Sequence, residues 1–309
     1  MGLFAPSSKR GEPVFVKSTT NTELSLQHMR TLLPVVHPDD RSRLEQDIKM
    51  TEAGLYGENR VAFELRNSHL PIHVLRDLRL EHDGLMAQID FLVIAPHINL
   101  LIECKNLIGD IEVNERGDFI RVLDVNGQRK RQGIYSPITQ SQRHVQLIRS
   151  IQDDKGSFVR IANKLHFDDI YKTAVVLANP KSLLDDAHAP ASVRKQIVRA
   201  DALVGHLKQL EREGRHNSTL NEHDRMQVAE RWQQRHVEQP PDIASRYRLT
   251  VDPAQIMRLE DGRIVIVPRC PVCGALMVQR TAQRGVRAGK PFWGCSTFPS
   301  CNGIINIGD

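Results

Sequence analysis

Four of the five cysteines in this 309-residue chain lie within its last 40 residues. They form two groups, Cys-Pro-Val-Cys-Gly at 270–274 and Cys-Ser-Thr-Phe-Pro-Ser-Cys at 295–301. Two such groups can surround one Zn²⁺ tetrahedrally, and a module this short needs a cross-link because its apolar area does not offset chain entropy. Disulfide bonds and unliganded thiols are the alternatives, and the absence of a secretory signal favours zinc. The predicted zinc ligands are Cys270, Cys273, Cys295 and Cys301.

Positive charge is concentrated in the same region. Residues 262–309 hold six basic side chains against one acid, Asp309, which accounts for the whole formal excess of +5. A local basic excess favours contact with a polyanion, and a solvated surface is the alternative.

The segments at 270–274 and 292–301, the second reading Phe-Trp-Gly-Cys-Ser-x-Phe-Pro-x-Cys, resemble the zinc ribbon at the carboxyl end of type IA topoisomerases. This resemblance implies binding of single-stranded DNA, with aromatic faces for bases and basic side chains for phosphates. For Phe292 and Trp293 the alternative is packing in the ribbon's own small core. The candidate DNA contacts are Arg280, Arg284, Arg287, Lys290, Phe292, Trp293 and Phe298.

The rest of the chain shows mixed α and β patterning, which predicts an α/β fold. Helices are expected over 21–50 with a break near Pro34 and Pro38, and over 51–70, 137–151, 200–213 and 221–237. Short apolar runs predict strands at 72–75, 86–95, 98–104, 110–113, 119–123 and 173–178. The expected domains are a helical extension (1–50), a main domain (51–238), a linker (239–262) and the zinc ribbon (263–309).

Composition excludes several classes of protein. The chain is 40% hydrophobic and 26% charged, which is ordinary for a folded globular protein. Its longest apolar stretch, 91–102, is far shorter than the roughly 18 residues a membrane helix needs. The amino terminus lacks the pattern of a secretion signal, so we expect a cytoplasmic protein with no membrane partner.

Three ionisable residues on two predicted neighbouring strands are expected to converge. Glu103 and Lys105 share one strand face about 6–7 Å apart, while Cys104 points the other way. Asp90 lies 13 positions before Glu103, so an even-length hairpin loop would place the two carboxylates opposite each other. Carboxylates this close need a proton or a divalent cation, and hard oxygen ligands favour Mg²⁺ or Mn²⁺.

Glu58 is a further unusual position. It lies in the apolar stripe of a predicted helix, with Leu55, Ala62 and Leu65 on the same face. A buried charge needs a partner, so we expect a metal ion or Lys105 there. The alternative is a glutamate in the first turn of the helix, stabilised by the helix dipole.

Together these residues resemble the NERD (nuclease-related) domain, of the restriction-endonuclease-like PD-(D/E)xK superfamily. The resemblance spans about 54–151 and includes Gly-Glu at 57–58, Gln-Ile-Asp at 88–90, Glu-x-Lys-Asn at 103–106 and Pro-x-x-Gln-x-x-x-His at 137–144. It implies a mixed sheet flanked by helices. Two positions depart from the family pattern, because no proline immediately precedes Asp90 and Cys104 replaces an aliphatic residue.

The resemblance also implies metal-assisted hydrolysis of phosphodiester bonds. Asp90, Glu103 and the backbone carbonyl of Cys104 would hold Mg²⁺ or Mn²⁺, with Glu58 at the edge of the site. Lys105 would stabilise charge or orient water, and Gln140 would support it. His144 is interpreted as a non-catalytic histidine.

Three functions remain open on the sequence alone. The leading one is a DNA nuclease whose zinc ribbon holds single-stranded or branched DNA. The second is a non-catalytic nucleic-acid-binding protein that uses a nuclease-like scaffold. The third is an assembly protein that binds other proteins through its helices.

Overall fold

A computed structural model describes residues 11–153, 166–239 and 241–307. The chain divides into two compact units: the first comprises 1–20 and 52–239, and the second comprises 21–51 and 240–309. The helices are α1 (Asn21–Leu32), α2 (Pro38–Arg66), α3 (Pro137–Asp153), α4 (Ala191–Arg194), α5 (Leu203–Glu213) and α6 (Glu222–Gln234).

The strands of the first unit are β1 (Val14–Lys17), β2 (His73–His82), β3 (Leu85–Ile94), β4 (Asn99–Lys105), β5 (Asp110–Val113), β6 (Phe119–Val125), β7 (Gln128–Ile134), β8 (Tyr171–Leu177), β9 (Leu184–Asp185) and β10 (Ile197–Arg199). Those of the second unit are β11 (Ile256–Arg258), β12 (Ile264–Ile266), β13 (Met277–Thr281), β14 (Pro291–Cys295) and β15 (Ile304–Asn306).

The first unit is built on a six-stranded mixed sheet in the order β1-β2-β3-β4-β8-β10. β2, β3 and β4 pair antiparallel, whereas β8 is parallel to β4 and β10 is parallel to β8. One face packs against α2 and α5 through an apolar cluster, here the α2 cluster, which includes Val61, Leu65 and Leu203. The other face packs against α3 and α6 through the α3 cluster, which includes Ile148 and Trp232. The predicted α/β architecture, a mixed sheet flanked by helices, is confirmed.

A second sheet of the same unit has the order β7-β6-β5-β9. The predicted strands at 110–113 and 119–123 correspond to β5 and β6. β7 was not predicted, because its sequence Gln-Arg-Lys-Arg-Gln-Gly-Ile has no apolar alternation and its residues are exposed up to Ile134. Pairing with β6, rather than burial of side chains, makes this segment a strand.

The second unit differs from the expected domain division. Residues 239–262, expected to be a linker, contain β11 and two 3-10 turns. Ile243 and Tyr247 are buried in one cluster with Met29 and Leu32 of α1. The Pro-Pro pair at 240–241 suggested a flexible connection, yet the apolar residues that follow it belong to a core.

The amino-terminal region also differs from its expected organisation. β1 pairs with β2 and belongs to the first unit. The predicted break near Pro34 and Pro38 is present, but no helix boundary occurs at residue 51, because α2 runs continuously from Pro38 to Arg66. In the described residues, no helix has both the length and the apolar character needed to cross a bilayer.

Candidate functional site

The β3–β4 hairpin brings Asp90 and Glu103 to one point of the central sheet. Its ladder pairs Ile94 with Asn99 and ends with Phe91 opposite Ile102. Continuing this register by one step places Asp90 opposite Glu103. β4 continues to Lys105 along β8 alone, and the backbone N–H of Cys104 donates a hydrogen bond to Asp90 Oδ2 at 2.7 Å. Asp90 thus accepts a hydrogen bond from the backbone of β4 just beyond the last residue pair of the ladder.

The strands are irregular at this point. Phe91 lies in the α2 cluster, whereas Ile89 lies in the α3 cluster, although residues two apart on a regular strand share a face. On β2, Asp77 lies between the residues paired with Phe91 and Ile89, and its φ is 52°. Such irregularities redirect side chains and are common beside active sites. Asp90 lies between Ile89 and Phe91, so the side chains of β3 switch from one face of the sheet to the other at this aspartate.

Lys105 links Glu103 to helix α3. Its Nζ lies 2.7 Å from Glu103 Oε1 and donates a hydrogen bond to Gln140 Oε1 at 3.2 Å. Glu103 is only 3% exposed, so its charge is compensated by a neighbouring ammonium group. The structure therefore brings together Asp90, Glu103, Lys105 and Gln140, from β3, β4 and α3.

Glu58 has a partner that the sequence did not identify. Its Oε2 accepts a hydrogen bond from Arg76 at 3.0 Å, and Arg76 is 3% exposed. Arg76 was not among the expected partners, which were a metal ion or Lys105. The alternative of a first-turn glutamate is wrong, because α2 begins at Pro38. Arg76 stands among apolar residues of β2, which is the signal that could have indicated its burial.

α2 approaches the end of β4 closely beside this ion pair. A Cβ atom on Gly57 would lie 2.5 Å from Asn106 Cβ, so only glycine permits the approach. The Asn106 side chain also donates to the Ala53 carbonyl at 2.6 Å. Residues of α2 and of the strand that carries Glu103 and Lys105 are thereby held together.

Burial dominates the electrostatics of the site. It raises the pKa of Asp90 well above the usual range, and the nearby Glu103 and Glu58 carboxylates act in the same direction. Burial also raises the pKa of Glu103, although Lys105 opposes this. The pKa of His144 is lowered to about 4 by burial and by Lys105, so its imidazole is neutral near pH 7.

The donor set fits a divalent cation. Glu103 Oε2 is buried without a hydrogen-bond partner in the described residues, and His144 Nδ1 lies 3.8 Å away. A buried carboxylate oxygen needs such a partner, and carboxylate and carbonyl oxygens suit Mg²⁺ or Mn²⁺. Within the described ranges, however, Glu58, Asp90 and Glu103 do not form a group whose ligand atoms all lie within 4.8 Å of one another.

The cysteines of the second unit do form such a group. The four Sγ atoms lie within 4.8 Å of one another, with Cys270 and Cys301 at 3.6 Å and Cys273 and Cys295 at 3.4 Å. The backbone N–H of Cys273 lowers the pKa of Cys270, and that of Ala275 lowers the pKa of Cys273. Four cysteine sulfur atoms at such distances suit tetrahedral Zn²⁺. The four predicted ligands thus lie together in a cluster that could hold a metal ion.

One glycine that the sequence did not single out shapes this cluster. A Cβ atom on Gly303 would lie 2.2 Å from Cys270 Sγ, and the Gly303 carbonyl accepts the Cys295 N–H at 2.9 Å. Gly274 has φ +74°, a conformation that suits glycine in the first Cys-x-x-Cys turn. Backbone constraints therefore place the sulfur atoms.

The three-stranded sheet of the ribbon separates the predicted aromatic contacts. Trp293 packs against the cluster of Cys270, Met277 and Cys295, on the face turned to the sulfur atoms. Phe292 is paired with Arg280 on β13 and belongs to the opposite face. Trp293 therefore matches the alternative of core packing.

The opposite face carries an arginine and an exposed ring. The Arg280 guanidinium lies 5.4 Å from the ring centre of Phe298, which is 57% exposed. A Cβ atom on Gly294 would lie 3.1 Å from Arg280 Cδ, so glycine leaves room for this side chain to cross the strand. Arg284, Arg287 and Lys290 lie in the connection between β13 and β14.

Comparison with known protein families gives a match for part of the chain. The family model of NERD, the nuclease-related domain, matches residues 53–176. No curated protein and no solved structure matches the chain. Residues 53–176 are thus similar to a nuclease-related domain, and this similarity suggests a nuclease-like function, nucleic-acid binding and use of a divalent metal. The matched segment includes Glu58, Asp90, Glu103, Lys105 and Gln140.

Proposed function

We propose that this protein is a metal-dependent nuclease that hydrolyses phosphodiester bonds in DNA. The observation that carries the proposal is the convergence of Asp90, Glu103 and Lys105 at the point where β3 and β4 stop pairing. The match of residues 53–176 to a nuclease-related domain supports the same class of reaction.

In this proposal, Asp90, Glu103 and the Cys104 carbonyl hold Mg²⁺ or Mn²⁺, with Glu58 at the edge. Glu103 Oε2 has no hydrogen-bond partner among the described residues, and burial and Glu103 raise the pKa of Asp90. Both observations support a cation there. When bound, the cation supplies Lewis-acid polarisation of the scissile phosphate. Arg76 holds Glu58 through the 3.0 Å ion pair and so keeps its carboxylate oriented.

Lys105 is proposed to stabilise negative charge that develops on the phosphate oxygens. Its ammonium has three N–H donors, and the described contacts with Glu103 and Gln140 use two of them. Gln140 fixes the position of this ammonium from α3. Donors held in place before the reaction are more effective than mobile ones.

The ribbon is proposed to be of the topoisomerase type and to hold single-stranded or branched DNA on its exposed face. Phe298, with Arg280 stacked on it, and Phe292 offer faces for bases, and Arg284, Arg287 and Lys290 add phosphate contacts. Zn²⁺ held by the four cysteines would have a structural role.

A cleavage assay tests the catalytic part of the proposal. The zinc-loaded full chain is incubated with plasmid and with single-stranded DNA in Mn²⁺ or Mg²⁺. Cleavage by Glu103→Gln and Lys105→Met is expected to fall by about 10²–10³-fold, the cost of removing charge stabilisation. Glu115→Gln, an exposed carboxylate of the same unit, is the matched control. Undiminished cleavage by both variants would contradict the proposal.

One observation favours a second candidate, a non-catalytic nucleic-acid-binding protein. The three carboxylates are spread more widely than ligands that share one ion, whereas the ribbon cysteines are already close together. This candidate predicts salt-sensitive DNA binding that survives Glu103→Gln but is lost when residues 263–309 are deleted, with no cleavage in either metal.

A further inference from the structure

Strand β7 is an exposed basic edge of the first unit. It is the last strand in the order β7-β6-β5-β9, so its outer backbone edge faces no other described strand of that sheet. Residues 128–133 are all exposed, and they include Arg129, Lys130 and Arg131 in succession. Side chains alternate along a strand, so the two arginines lie on one face and Lys130 on the other.

The charges of this strand are only partly compensated. Arg131 lies 2.6 Å and Arg129 3.9 Å from the Glu112 carboxylate on β5, so one acid serves two guanidinium groups. The arginine side chains remain 60% and 68% exposed despite these contacts. Lys130 has no acidic partner among the described residues. β7 itself thus has three cationic side chains and no acidic one.

Two strands of this sheet, β5 and β7, are joined to the candidate active site by short connections. Four residues separate Lys105 at the end of β4 from β5, and two separate β7 from α3, which carries Gln140. Within the second connection, Tyr135 is exposed, and the Arg143 guanidinium of α3 lies 5.6 Å from its ring centre. Exposed cationic side chains thus occur on β7 and again on α3, one turn from Gln140.

We propose that β7, with Arg129, Lys130 and Arg131, binds the phosphodiester backbone of double-stranded nucleic acid and holds it beside the candidate active site. The inference rests on the proposed function, since it assigns the surface that holds the substrate of that site. Guanidinium and ammonium groups on an exposed edge can bind phosphate oxygens, and such contacts do not depend on the base sequence. These three residues are not among the ribbon contacts expected from the sequence.

Two alternative roles for the basic residues of β7 lead to different results. Charged side chains on an edge strand also prevent association with other strands. Pairing of β7 with a second copy of the chain is disfavoured, because it would bring like charges into opposition. Neither role makes the affinity for nucleic acid depend on these residues.

The test measures binding without cleavage. The zinc-loaded full chain carrying Glu103→Gln is titrated by fluorescence anisotropy, over a series of salt concentrations, with a DNA duplex and an RNA duplex of the same sequence. The variant carries Arg129→Gln, Lys130→Gln and Arg131→Gln. The control carries Lys195→Gln, Arg231→Gln and Arg235→Gln, three exposed cations of the same unit, so both lose equal charge. Both are also made with Phe298→Ala, so that nucleic-acid binding by the ribbon does not hide a loss of binding by β7.

The β7 variant is expected to bind at least tenfold more weakly than the control. Its slope of log affinity against log salt should be smaller by about two to three, as for the loss of two or three phosphate contacts. The duplex that shows the larger loss identifies the substrate as DNA or RNA. Equal affinity and equal slope for both variants would overturn the proposal. It would also be overturned if the β7 variant kept the affinity of the control and differed from it only by self-association, measured by light scattering.

Glu112→Gln provides an independent test in the opposite direction. It removes the acid that faces Arg129 and Arg131 while keeping the shape of the side chain, so duplex binding should tighten several-fold. Unchanged or weaker binding would contradict the proposal even if the triple variant failed to fold. Cleavage is measured separately: a chain that binds through β7 but cuts nothing refutes the nuclease and leaves this inference standing.

Discussion

The two candidate metal sites of this chain differ in how their ligands are held. In the ribbon, tight turns and Gly303 place four sulfur atoms within 4.8 Å of one another. In the first unit, the carboxylates come from α2, β3 and β4, and burial raises the pKa of Asp90. A compact set of four thiolates is typical of a closed structural site, whereas a site that must admit substrate keeps positions open. Under the proposed function, the ribbon is a compact metal centre, whereas the carboxylate site would be completed by a cation and substrate.

The largest expected effect concerns the zinc centre. Cys270→Ser removes one of four ligands, and structural zinc contributes about 10–16 kcal/mol of apparent binding free energy in small modules. We expect loss of zinc, measured by mass spectrometry, and rapid proteolysis within residues 263–307. Gly303→Ala should weaken zinc binding by displacing the Cys270 sulfur, while Cys104→Ser should keep full zinc content. Full zinc retention by Cys270→Ser would show that the two centres do not differ as described.

The two faces of the ribbon should also differ. Phe298→Ala removes an exposed stacking surface, and loss of one base stack costs about 1–3 kcal/mol, or roughly fivefold to 150-fold in affinity for single-stranded DNA. Trp293→Phe, on the sulfur side, should lower thermal stability with little effect on affinity. Anisotropy titrations and melting curves measure both. Equal losses of affinity would mean that the faces are not distinct.

In the carboxylate site, Gln140→Ala should reduce cleavage by about tenfold to a hundredfold, the usual cost of losing a group that orients another. Lys105 would lose its anchor on α3 while Glu103 stays in place. Gln142→Ala, an exposed glutamine of the same helix, is the control. An effect of equal size for the two variants would argue against an orienting role.

The smallest effect tests the raised pKa of Asp90. Because burial raises this pKa above the unfolded value of about 3.9, ionisation destabilises the fold as pH rises from there toward the folded pKa. Without added cation, Asp90→Asn should therefore be more stable than the parent chain at pH 7 and melt at a higher temperature. The gain in free energy of unfolding is about 1.4 kcal/mol for every tenfold difference in the Asp90 ionisation constant between the folded and unfolded states. The difference should vanish near pH 3. The exposed Asp83→Asn should show neither effect, and a less stable Asp90→Asn at pH 7 would reverse the argument.

The features that local sequence carries could be predicted. The Cys-x-x-Cys turn fixes its own geometry, and the odd separation of Asp90 and Glu103 places them opposite each other across a hairpin with a four-residue loop. Apolar runs indicated β3, β4 and β8, because these strands are buried.

Features that depend on distant parts of the chain were missed. The Glu58–Arg76 ion pair requires β2 to lie beside β3 under α2, which no local pattern reveals. The packing of Ile243 and Tyr247 with α1 joins segments far apart in sequence, so a region with a Pro-Pro pair resembled a linker. β7 has no apolar periodicity, and its strand conformation comes from pairing with β6 alone.

The most direct test of the central claim is a Mn²⁺ titration of the zinc-loaded chain followed by electron paramagnetic resonance. Mn²⁺ is expected to bind the parent chain and the control Glu115→Gln, whereas Asp90→Asn and Glu103→Gln should each abolish this binding and leave the zinc content unchanged. Mn²⁺ binding of equal strength in the parent chain and both variants, or no binding in any of them, would contradict the central claim.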